Sequence, residues 1–216
     1  DGFVGNTSLL VRLGTVQHQK QILLDCGFTA PYALWRYEGE ADVDLVSISH
    51  FHGDHAAGLA PLLMKMMALQ RERPLALLGP PGLEEHTRQV LQLHYPGYYD
   101  RLPFELHFFP FGQSSAPFEL EGFGGLSFAG APTRHSLSNY ALRINFAEQV
   151  LFYSGDGSMT PGSRELMQGA DLAIHEAYAW EEDLLHHGSV ASALAAAKEE
   201  GVGRLALVHL AAQLRR

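Results

Sequence analysis

The chain has 216 residues, 46% of them hydrophobic and 18% charged, with a formal net charge of −9. That composition suits a globular protein with a sizeable core, and a single domain over residues 1–216 is the simplest organisation. The acidic balance argues against broad attraction to nucleic acid, and no apolar run is long enough to span a bilayer, so a cytoplasmic protein is expected. Cys26 is the lone cysteine and can form no internal disulfide.

Residues 3–13 and 21–25 read as two short strands joined by a polar loop from Gly14 to Lys20, and the second strand ends on Asp25-Cys26-Gly27. Residues 29–40 suit a loop or short helix. The apolar run 43–48 is a buried strand leading into His50-Phe51-His52-Gly53-Asp54-His55. Four ligand-type side chains in six positions would be an odd accident in a simple polar turn. A strand running into a tight loop can present His50 and His52 to one metal and Asp54 and His55 to a second, and this nitrogen and oxygen set suits zinc. Gly53 is expected to permit the change of direction. Leu59, Leu62, Leu63, Met66 and Met67 then recur at helical spacing, with Pro61 tolerated in a first turn.

Further on, residues 75–78 and 104–109 read as strands, residues 84–94 as an amphipathic helix, and residues 95–100 as an aromatic turn. The second half repeats one pattern, an apolar strand closing on a residue that can bind metal. Residues 126–129 lead to His135, residues 149–153 to Asp156, residues 170–174 to His175-Glu176, and residues 203–208 to His209. Between the first two, residues 138–146 alternate as a strand. Ser189 is placed to cap a helix over residues 190–200, with Gly201 to end it. Strands outnumber helices, which points to sheets flanked by helices. His18, His86, His94 and His107 are read as packing or solvated residues, and Arg134 and Arg143 as ordinary surface arginines.

The stretch Ser49 to His55, followed by Ala56-Ala57-Gly58-Leu59, resembles the metal-binding signature of the metallo-β-lactamase superfamily, closest to the branch of tRNase Z and related phosphodiesterases. The resemblance implies an α+β fold, a four-layer αββα sandwich. It implies two Zn2+ ions, with Mn2+ or Fe2+ as substitutes: His50, His52 and His135 on one, Asp54, His55 and His209 on the other, and Asp156 bridging. Asp25 would support the ligand loop by hydrogen bonding. The expected reaction is hydrolysis of a phosphodiester by a metal-bridging hydroxide, with Asp54 orienting it or taking its proton.

His175-Glu176-Ala177-Tyr178 resembles the His-Glu-Ala-Thr motif of tRNase Z relatives, and His187-Gly188-Ser189 their His-Ser-Thr. Carried over, Glu176 orients His187 as the general acid, and His175 is structural. Two departures bear on substrate. Only residues 136–155 separate His135 from Asp156, too few for the arm that grips tRNA, and Gly5-Asn6-Thr7-Ser8 lacks the Pro- and Arg-containing loop of tRNA processors. Tyr178 and Val190 also replace residues usual in these motifs. A small phosphodiester or nucleotide is therefore expected ahead of tRNA. Thioester or lactone hydrolysis, tRNA 3′-end processing and a non-enzymatic sensor stay open as alternatives, as does a homodimer.

Overall fold

The computed structural model describes residues 7–15, 18–37, 42–112 and 115–214; the start expected for the first strand and Gly5-Asn6 lie outside them. Two compact units, Asp1–Pro110 and Phe111–Arg216, hold these elements, with a five-stranded sheet in each.

In the first unit, β1 (Leu9–Thr15) pairs antiparallel with β2 (His18–Leu24) in a register ending at Thr15↔His18. The pairing runs nearer the turn than the polar stretch suggested. Gln19 is exposed on the ladder, so its polarity costs the strand nothing. Next come β3 (Leu45–Ser47), β4 (Leu75–Gly79) and β5 (Leu106–Pro110), each parallel to its predecessor, giving the order β1-β2-β3-β4-β5. Every residue of β3 and β4 is buried, and such strands read as continuous apolar runs rather than alternating ones.

The helices of this unit are α1 (Ala30–Tyr37), α2 (Gly53–Ala56), α3 (Leu59–Ala68) and α4 (Leu83–His94). Leu59, Leu62, Leu63 and Met66 of α3 join Val46, Ile48, Leu75 and Leu77 in one core cluster, so the helical stripe is packing. At about 1.5–3 kcal/mol for each large apolar side chain buried, that seam anchors α3 on the sheet. The ligand stretch is thereby held between a buried strand and a buried helix.

Gly53 is not the glycine this loop depends on. A Cβ there would meet only the Ala57 Cβ, at 3.7 Å, whereas a Cβ on Gly58 would fall 2.2 Å from the Gly27 carbonyl oxygen. The Gly58 N–H donates to the Cys26 carbonyl at 2.8 Å, and that close backbone approach excludes any side chain.

In the second unit the order is β10-β9-β8-β7-β6, built from β6 (Leu126–Pro132), β7 (Tyr140–Phe146), β8 (Gln149–Tyr153), β9 (Leu172–Glu176) and β10 (Leu205–Val208). The first three are antiparallel and the last three parallel. Residues 136–155 hold the β7–β8 hairpin and the short segments flanking it. Helix α5 (Pro161–Met167) lies in a stretch to which the sequence pattern assigned no element. Thr160 closes a capping box with Ser163, and proline at the start needs no N–H partner. Helix α6 (Val190–Glu199) is capped by Ser189 as expected, and Gly201 follows it with φ 70°. Leu166, Met167, Ala196 and Ala197 pack with Ala129, Ala131, Ala141, Phe152 and Ala173. Among the described residues, no helix is long and apolar enough to cross a membrane.

Candidate functional site

The first group of side chains belongs to the first unit and turns on Asp25, the residue after β2. Asp25 is wholly buried and sits at φ 57°, a left-handed conformation that is uncommon outside glycine. Its Oδ1 accepts from the Ser49 N–H at 2.6 Å, and its Oδ2 accepts from the Ser49 hydroxyl at 2.8 Å and from His55 Nδ1 at 2.7 Å. Since the Ser49 hydroxyl gives its proton to Asp25, it accepts from His50 Nδ1, 3.0 Å away. One carboxylate therefore fixes two tautomers, leaving the lone pairs of His50 and His55 on Nε2.

His50 Nε2 lies 2.9 Å from His52 Nδ1, and His55 Nε2 lies 3.6 Å from Asp54 Oδ2. Two imidazole nitrogens that close can share a proton or turn their lone pairs on one cation. His50 and His55 are wholly buried, while the Asp54 side chain is 40% exposed. His50 thus lies beside His52 and Asp54 beside His55, while the His50 and His55 rings are themselves 4.3 Å apart.

The second group belongs to the second unit. His135 Nδ1 donates to the His186 carbonyl at 2.9 Å, which places the lone pair of the neutral ring on Nε2. Asp156 is buried after β8, with Oδ2 3.4 Å from His209 Nε2. His209 stands just past β10 at φ 56°, a second strained backbone at a strand end. Gly157, at φ 91°, could carry no side chain, since a Cβ would fall 2.7 Å from both the Arg134 carbonyl oxygen and the Thr133 hydroxyl. One ligand atom from each of His135, Asp156 and His187 lies within 4.8 Å of the others, and the same holds for Glu176, His187 and His209.

Glu176 is the hub of this group. It is wholly buried; Oε1 accepts from the N–H groups of Gly157 at 2.9 Å and Gly188 at 2.8 Å, and Oε2 from that of Tyr178 at 2.9 Å. His187 Nδ1 stands 3.3 Å from Oε1, and the His187 side chain is 22% exposed. His175 turns into the interior, donating Nδ1–H to the Glu176 carbonyl at 2.6 Å. Burial pushes its pKa below the ordinary histidine value, so it is a neutral structural residue.

Two supporting residues escaped sequence reasoning. Asn139, wholly buried, donates from Nδ2 to the Asp156 carbonyl at 2.6 Å, and its Oδ1 accepts from the Asp156 N–H at 3.2 Å. Ser49 relays Asp25 to His50. An Asn near the start of an alternating strand and a Ser before the first histidine are the local signals. Arg143 spends its guanidinium on the carbonyls of Leu166 and Gln168 at the end of α5, and His86 stacks on Phe51 at 4.3 Å; neither belongs to the ligand groups.

Imidazole nitrogens with oriented lone pairs, mixed with carboxylate oxygens, form a donor set that fits zinc, manganese or iron(II). Asp25 and the Ser49 hydroxyl stand behind His50 and His55 as buried acceptors, the kind of support that a metal-binding histidine uses.

A profile of the β-lactamase superfamily domain matches residues 20–210. The ribonuclease Z of Lachnoclostridium phytofermentans is 34% identical over 106 residues, 47% of this chain and 31% of that protein. The chain spans about a third of the length of the first curated relatives it matches, 31% and 36%. Among solved structures, the metallo-β-lactamase fold protein YhfI from Bacillus subtilis superposes with TM-score 0.78 at 25% identity, over 98% of this chain and 82% of that one. Human tRNase Z, short form, superposes with TM-score 0.79 at 21% identity, over 96% of this chain and 87% of its own, a likeness of fold.

Proposed function

The chain belongs to the metallo-β-lactamase superfamily and has its α+β fold, and on that premise we propose that it is a metal-dependent hydrolase of small phosphodiesters. The proposal assigns His50, His52 and His135 to one ion, Asp54, His55 and His209 to a second, and Asp156 to both. Zinc is the expected metal, with manganese or iron(II) as substitutes. Paired divalent cations, when bound, supply Lewis acidity and lower the pKa of water towards neutrality.

The chain's own residues contribute proton handling. Asp54 keeps a partly exposed carboxylate that can accept the proton of the attacking water. His187 Nδ1 faces Glu176 Oε1 at 3.3 Å, so the carboxylate lies on the Nδ1 side of the ring. Its Nε2 is then the atom that delivers a proton to the leaving oxygen. The observation that carries the phosphodiester reading is this pair, a buried carboxylate 3.3 Å from a partly exposed imidazole lying among His135, Asp156 and His209. The short β7–β8 hairpin between His135 and Asp156 favours a nucleotide-sized diester over tRNA.

The test begins with protein stripped by a chelator and reloaded with zinc, manganese or iron(II). Turnover of bis(p-nitrophenyl) phosphate should disappear on stripping and return on reloading, with about two ions bound per chain by elemental analysis. No turnover by fully loaded protein would overturn the phosphodiester reading. Chelator-sensitive cleavage of a thioester or lactone instead would keep the metal site and change the substrate class. Tight tRNA binding at physiological salt would restore tRNA as the substrate.

A further inference from the structure

We propose that Tyr178 is a positioning residue, a ring wall that fixes the imidazole of His187; the proposal rests on the hydrolase reading above. Tyr178 follows β9 by two residues and is pinned at both ends of its own backbone. Its N–H donates to Glu176 Oε2 at 2.9 Å, and its carbonyl accepts from the Ala211 N–H at 3.3 Å. The ring packs on His187 at 4.7 Å between centroids and 28° between planes, and on His209 at 5.8 Å and 38°. His187 and His209 are themselves stacked at 5.5 Å and 10°. Three rings thus close on one another, and two of them belong to the candidate site.

The physical need is clear from the contacts of His187. Glu176 Oε1 stands 3.3 Å from its Nδ1 without the alignment of a hydrogen bond, and that contact alone leaves the imidazole able to swing. A ring packed on its face stops the swing and holds Nε2 in one direction. Tyr178 is itself 36% exposed, so its burial contributes little to the core and its ring contacts are spent on the two imidazoles. The same carboxylate holds the Tyr178 backbone and the Gly188 backbone beside His187, so wall and imidazole share one anchor. Because the contact is made by the ring face, phenylalanine should serve and small residues should not.

The test measures kcat and KM for bis(p-nitrophenyl) phosphate with zinc-loaded wild type, Tyr178→Phe, Tyr178→Ala, His187→Ala and the double variant Tyr178→Ala/His187→Ala. Loss of an aromatic packing contact should lower kcat about three- to tenfold in Tyr178→Ala with KM within about twofold, and Tyr178→Phe should restore it. The double variant should match His187→Ala alone, since a residue acting through His187 has nothing left to position. Losses that multiply, or a change confined to KM, would overturn the proposal.

A crystal structure of Tyr178→Ala decides independently of turnover, with Tyr178→Leu in reserve should the alanine variant not fold. Expected is His187 in more than one rotamer with Asp156 and His209 unmoved. A single unchanged His187 rotamer would overturn the inference even in an active enzyme. Absence of turnover in loaded wild type would instead count against the hydrolase reading and leave this structural arm in force.

Discussion

Asp25 and Glu176 are both wholly buried carboxylates at the end of a strand, and they support their surroundings in different ways. Asp25 reaches side chains: it holds His55 directly and His50 through the Ser49 hydroxyl. Glu176 reaches backbone, accepting from Gly157, Tyr178 and Gly188 and so tying together the turn beside Asp156, its own loop and the turn beside His187. The first arrangement sets the tautomers of two imidazoles. The second sets the places of three loops. Charge and burial are alike in the two cases; what differs is whether the donors can turn away when the carboxylate is lost.

The largest contrast should appear in stability. Glu176→Ala strands the buried N–H groups of Gly157 and Gly188, each costing about 1–3 kcal/mol, and the part-buried one of Tyr178, so a loss of about 3 kcal/mol or more is expected in urea unfolding. Asp25→Ala strands one backbone N–H, while the hydroxyl and imidazole can turn elsewhere, and should cost about 1–2 kcal/mol. Equal losses would erase the distinction between framework and side-chain support.

The loop supported by Asp25 offers the next test. Gly58→Ala should destabilise by about 2 kcal/mol or more, because the added carbon meets backbone, whereas Gly53→Ala should change stability by about 0.5 kcal/mol or less. A tolerated Gly58→Ala would mean that the α2–α3 turn moves freely over Cys26-Gly27.

Asp25→Asn separates tautomer control from backbone support. Asparagine tolerates the left-handed backbone at this position, so unfolding should move little. Metal affinity should fall about 10- to 100-fold by chelator competition, since the histidines lose the acceptor that orients them. Unchanged affinity would remove Asp25 from the metal site.

The smallest effect is one of pH and lies beside Glu176. Burial lowers the folded-state pKa of His175 below its unfolded value of about 6.5. The unfolded chain then binds more protons, so this group's stabilisation is complete above about pH 6.5 and declines as pH falls towards the folded value. His175→Gln should flatten that part of the stability profile in urea melts from pH 7 to 5. An identical slope in both proteins would deny the buried neutral imidazole.

Local signals carried as far as local physics reaches. His50, His52, Asp54 and His55 were legible because they crowd into six positions, and α6 because Ser189 and Gly201 mark its ends. Strand β8 was legible over residues 149–153, where an apolar run meets Ser154-Gly155-Asp156. Helix α5 was not, since Pro161 and Gly162 signal a turn until Thr160 and Ser163 are seen to cap each other. Asn139 was missed for another reason: its partner is the backbone of Asp156, 17 residues away, and no periodicity reports such a bond.

The amino-acid order by itself determined the kinds of donor atom, their grouping at strand ends, and the runs that must be buried, because these follow from residue chemistry and short-range geometry. Tertiary structure alone decided which nitrogen of His50, His55 and His135 carries the lone pair, which glycine is indispensable, and which carboxylate anchors three loops. Those outcomes depend on groups far apart in the chain arriving within about 3 Å of one another, a distance only the folded backbone sets.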